Sequence, residues 1–107
     1  MKPQDIIKAI AELDGWKPNP IAGGMYPPDL HPAVNINKVF ELSPYLTSRD
    51  AIVPVIEKQD LVTKSNWLYI LSDMVYHQHK NTYLVSLFVT PSQLCEALLR
   101  STGKWVE

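Results

Sequence analysis

The chain has 107 residues, 46% of them hydrophobic and 20% charged, a globular and not a disordered profile that fits one domain spanning 1–107. Its formal net charge is −1, with the charges spread thinly and no basic block anywhere, which argues against duplex nucleic acid as a partner. No run approaches the roughly 20 apolar residues of a membrane span, no signal peptide is visible, and the lone Cys95 cannot close an internal disulfide. The expected setting is therefore cytoplasmic and reducing, with no membrane partner.

Residues 3–14 predict a first helix. Ile6, Ile7, Ile10 and Leu13 recur at helical spacing, Pro3 suits the first turn, Asp5 complements the dipole, and Gly15 is a natural stop. Residues 16–46 differ in kind, because six of the nine prolines fall here. Long regular elements are disfavoured there, and short edge strands fit only around 24–26, 33–36 and 38–42.

Thr47 reads as the cap of a second helix, with Asp50 as its acidic partner and Ala51, Ile52, Val55 and Ile56 as the apolar stripe. Pro54 should kink that helix or restrict its hydrogen bonding to one side. Residues 65–77 predict a third helix from Trp67, Leu68, Ile70, Leu71, Met74 and Val75, followed by a polar turn at 78–81. Residues 82–89 are β-branched, aromatic and almost continuously apolar, the pattern of a central strand buried on both faces. A last helix over 91–102 carries its own punctuation. Thr90 and Gln93 form a capping box, Pro91 takes the first helical position, and Gly103 supplies the left-handed stop. A strand covered on both faces needs helices on both sides, so the expected fold is α+β, a small three-layer α–β–α sandwich with a short central sheet and about four helices.

Three blocks together resemble one family. The run Pro44-Tyr45-Leu46-Thr47-Ser48-Arg49-Asp50-Ala51-Ile52-Val53-Pro54-Val55-Ile56-Glu57-Lys58 resembles the central helix of the phage ABA sandwich domain family. Thr90-Pro91-Ser92-Gln93, with Cys95-Glu96-Ala97-Leu98-Leu99-Arg100 and the closing Gly103-Lys104-Trp105, is similar to its C-terminal block. Gly15-Trp16 before a proline-rich stretch is similar to its N-terminal pattern. The resemblance implies a three-layer α–β–α domain of phage or prophage origin, and it brings no catalytic residues with it.

The residues themselves point away from chemistry. His77 and His79 have no cysteine or carboxylate cluster adjacent to them in sequence, Cys95 lies in the second helical turn where dipole activation fades, and the serines sit in no nucleophile elbow. Gly23-Gly24 is too short to cradle a phosphate. No catalytic residue, metal ligand or cofactor is therefore expected, and the protein reads as non-enzymatic. The segment from Trp16 to His31 is the candidate binding loop, with Trp16, Tyr26 and His31 interleaved among rigidifying prolines. Against that stands the plainer reading that Trp16 and Tyr26 cap the edge of a thin core. The leading expectation is a phage or prophage accessory protein that binds a host factor or small ligand, in a counter-defence role or otherwise. The alternative is a nucleotide or single-stranded nucleic-acid binder that stacks on these aromatics, with Lys17, Lys38 and Arg49 on phosphates. Trp105, beyond the last helix, either folds back or contributes to a homodimer, since small sheets with free edges favour self-association.

Overall fold

A computed structural model describes residues 1–28, 39–79 and 89–107, with 76–79 described through the backbone alone. Among the described residues the order is α1 (Pro3–Leu13), β1 (Lys17–Pro18), β2 (Met25–Tyr26), α2 (Arg49–Glu57), α3 (Leu61–His79) and α4 (Pro91–Ser101). Four helices and a two-stranded antiparallel sheet make this an α+β fold.

Helix α1 buries Ile6 and Ile10 of the expected stripe together with Ala11, while Ile7 and Leu13 are half-buried against the core. It ends in a Schellman motif. Gly15, at φ 98°, lets its own N–H reach the Glu12 carbonyl (3.2 Å) and the Trp16 N–H reach the Ala11 carbonyl (3.0 Å). The chain then turns straight into the hairpin, where Lys17 pairs with Tyr26 and Pro18 with Met25. Buried Asn19 organises the connection. Its N–H donates to the Gly24 carbonyl (2.9 Å), and its Oδ1 accepts from the N–H groups of Ile21 (3.0 Å) and Ala22 (3.1 Å). Residues 39–42 form no strand, and the other expected edge-strand positions, 33–36 and 38, lie outside the described residues.

Helix α2 starts one residue later than its sequence signature. Ser48, not Thr47, is the N-cap, and the Thr47 hydroxyl is turned back to the Pro44 carbonyl at 3.5 Å. The helix continues through Pro54, which stands exposed while Ile52, Val55 and Ile56 are buried on the other side. The hydrogen bond forfeited at Pro54 is thus lost on the outer face, where its absence disturbs no packing.

Helix α3 is longer than the periodicity of 65–77 indicated. At its start Asp60 acts as the cap, its Oδ1 accepting from the Thr63 N–H at 2.7 Å, which holds the Asp60 carboxyl below its usual value. At its end the helix continues through 78 and 79, which the polar residues had suggested as a turn. Its inner face carries buried Leu71 and Val75, flanked by Trp67, Ile70 and Met74. Leu68, grouped with that stripe in the sequence, lies at its edge and is exposed. Of the expected central strand, 82–88 lies outside the described residues, and Val89 is buried.

Helix α4 is the hub, packing against α1, α2 and α3. Leu94, Cys95, Ala97, Leu98 and Leu99 are all buried, so it is apolar around most of its circumference. Fully burying each of the larger side chains is worth about 1.5–3 kcal/mol. Both ends are fixed as the sequence predicted. Gln93 N–H donates to Thr90 Oγ1 (3.2 Å) and Thr90 N–H to Gln93 Oε1 (2.9 Å), a reciprocal capping box. At the far end Gly103, at φ 74°, allows a second Schellman motif, with Lys104 N–H on the Leu99 carbonyl at 2.8 Å and Gly103 N–H on the Arg100 carbonyl at 3.3 Å.

Candidate functional site

Tyr45 fixes one wall of the site. It is fully buried between α1 and the later helices, and its hydroxyl donates to Asp14 Oδ2 at 2.6 Å. Lys58, just past α2, pairs with the other Asp14 oxygen and also donates to the Asp14 carbonyl at 3.1 Å. Behind Tyr45, the Cys95 thiol donates to the Tyr45 carbonyl at 3.2 Å. The end of α1, the turn at 44–47, the end of α2 and the middle of α4 are thereby tied at one point. Burial, reinforced by the hydrogen bond and negative charge of Asp14, pushes the Tyr45 phenol well above its ordinary value, against smaller opposing contacts from Ser43 and Trp16. Burial alone pushes the Cys95 thiol up to about 12. A thiol so placed is a packing residue and not a nucleophile.

The knot holds residues 41–47 alongside α1 and leaves an open groove between them. One hollow of about 450 Å³ is lined by Gln4 and Ile7 of α1 and by Leu42, Pro44 and Leu46 opposite. A second, of about 520 Å³, continues past Gln4 and Leu42 to Pro18, Met25 and Phe40. The two share Gln4 and Leu42, so they form one surface from the hairpin to the start of α2. Ile7, Met25, Phe40, Leu42 and Leu46 make the floor apolar, while Lys8, Glu12 and Glu41 give a rim of mixed sign.

Of the residues singled out in the sequence, Trp16 and Tyr26 line neither hollow. Trp16 is half-buried and packs against the core, locked in place by the Schellman turn before it. Tyr26 is half-buried on β2, and the hairpin presents Pro18, Gly24 and Met25 to the groove. His31 lies outside the described residues, as does Lys38. Lys17 is exposed on β1, whereas the Arg49 guanidinium donates to the Val89 carbonyl. Of the groups of the nucleotide-binding alternative, Lys17 and Tyr26 are thus cross-strand partners next to Trp16, while Arg49 is engaged elsewhere. His77 and His79 both belong to the last turn of α3. Among the described residues no three His, Cys, Asp or Glu side chains come together as a metal set. Trp105 folds back against the core, its N–H on the Leu99 carbonyl at 3.2 Å and the Arg100 guanidinium 5.1 Å above its ring. No helix among the described residues is long and apolar enough to cross a membrane.

The groove and the Tyr45 knot carried no sequence signal, because Asp14 and Tyr45 are 31 residues apart, and Tyr45 and Cys95 are 50 apart. Compared with protein-family models, curated proteins and solved structures, the chain finds no match. The likeness to the phage ABA sandwich family accordingly rests on the residues quoted above.

Proposed function

We propose that this chain is a non-enzymatic binding module, an accessory protein of phage or prophage origin acting in the bacterial cytoplasm. Its groove along α1 takes a small apolar ligand or the apolar side chains of a host factor. The proposal includes the three-layer α–β–α arrangement that the family resemblance implies, and a counter-defence role is its natural extension. The observation that carries it is the continuous apolar floor from Met25 through Leu42 to Ile7, in hollows of the size that small-molecule sites occupy and with a few polar groups at the rim.

Gln4 is exposed and lines both hollows, so Gln4→Trp fills the groove without touching the core. Indole, titrated into the ¹⁵N-labelled protein, is expected to shift the amides of Ile7, Met25 and Leu42 in the parent and to leave them unmoved in Gln4→Trp. Shifts that avoid these residues, or that survive the substitution, would remove the groove as the site.

A further inference from the structure

Helix α3 has a second apolar face. Beside the buried Val75 and round to the solvent side, it exposes Leu61 (79%), Val62 (71%), Leu68 (54%) and Tyr69 (79%). These positions share a face with Ser65 and Ser72, and the arc contains no charge. A stripe this apolar on a single helix is a mark of an interaction surface, since isolated exposed hydrophobes are scattered singly.

We infer that this face pairs with the same face of a second copy, as an antiparallel helix pair. The large and small side chains alternate along it as Leu61, Ser65, Leu68 and Ser72. A two-fold axis between residues 66 and 67 sets each leucine of one copy against a serine of the other, Leu61 on Ser72 and Leu68 on Ser65. Each leucine of the seam then meets a serine, with Val62 and Tyr69 on the flank of the pair, the self-complementarity an isologous contact requires. An aromatic side chain offers about 150–250 Å² and the aliphatic ones somewhat less, so these exposed fractions sum to roughly 500 Å² per copy. Complete burial of all four side chains on both copies removes about 1,000 Å², the lower bound for a specific interface, so the dimer is a reversible one. The groove along α1 lies on other elements, and this pairing stands or falls independently of it.

Sedimentation equilibrium from about 5 to 500 µM tests the pairing against the parent and against Leu68→Asp and Tyr69→Asp, whose exposed positions leave the fold intact by circular dichroism. The parent is expected to dimerise, and each variant to weaken the dimer by at least about tenfold. Ser65→Cys and Leu68→Cys proteins, mixed under mild oxidation, are expected to cross-link to each other faster than either does to itself; Cys95 is buried and does not compete. A parent that stays monomeric throughout overturns the inference, as does a dimer indifferent to both aspartates. Preferential self-cross-linking of Ser65→Cys overturns the antiparallel pairing.

Discussion

Cys95→Ala should leave a pH signature that crosses over. The thiol has an ordinary value of 9.0, and burial in the folded state raises it to about 12. A folded-state value raised above the unfolded one stabilises fully below the unfolded value, and that contribution is lost as pH climbs toward the folded one. Integrating the linkage, the thiol withdraws about 0.4 kcal/mol by about pH 9, about 1.4 by about pH 10 and about 2.7 by about pH 11. At neutral pH the substitution acts in the opposite sense. It deletes the hydrogen bond to the Tyr45 carbonyl and leaves a small void beside fully buried Leu98 and Leu99, costing about 1–2 kcal/mol at every pH. The parent is therefore the more stable protein near neutrality, and the variant overtakes it at about pH 10. Urea unfolding followed by tryptophan fluorescence, under reductant and at steps between about pH 7 and 11, reads the two curves directly. Parallel curves, with a constant gap across that range, would show that Cys95 is not desolvated in the folded state.

Three further outcomes follow from the geometry. Tyr45→Phe removes the bond to Asp14 and should cost about 1.5–3 kcal/mol in urea unfolding near neutrality. The raised Tyr45 phenol stabilises below its ordinary value of 10.0 and loses that contribution as pH rises above it, so the variant should also show a flatter alkaline limb. Gly15→Ala and Gly103→Ala both force a side chain into the left-handed region, at about 1 kcal/mol each. A Cβ at Gly15 also meets Pro28 Cβ at 3.1 Å whereas one at Gly103 meets nothing, so thermal melts should show the larger drop for Gly15→Ala. Trp16→Ala should lower the melting temperature, with a loss of about 1–3 kcal/mol for this half-buried indole. An unchanged melting temperature would return Trp16 to the role of a free contact residue.

Most of the helical framework was legible because its signals are local. The Thr90–Gln93 box, Gly15 and Gly103 each act within one turn of chain, and each appears in place. The errors lie where a local signal had a competitor. Thr47 carries a cap-like hydroxyl, yet the turn at 44–47 uses it and shifts the helix start to Ser48. Asp60 caps α3 seven residues before Trp67, where the apolar repeat begins, so periodicity alone placed the helix start too late. Leu68 satisfies the helical repeat as well as Leu71 does, and only the position of α4 decides which of them is inside. The groove depended on contacts across dozens of residues, beyond anything that spacing could reveal. Trp16 drew attention as an aromatic on a proline-rich segment, and the Schellman turn at Gly15 packs it against the core.

The place of α4 in the chain has a consequence for how the molecule is made. Ile6, Ile10, Val55 and Leu71 all precede residue 91, and α4, which packs against each of their helices, follows it. During synthesis at about 5–20 residues per second, α1 must wait for many seconds without its partner, holding its apolar face open to water and to other chains. Folding is thus gated by emergence of a single late segment, and its loop closures span nearly the whole sequence. A ribosome stalled before residue 91 would display three helices without the one that packs against all of them.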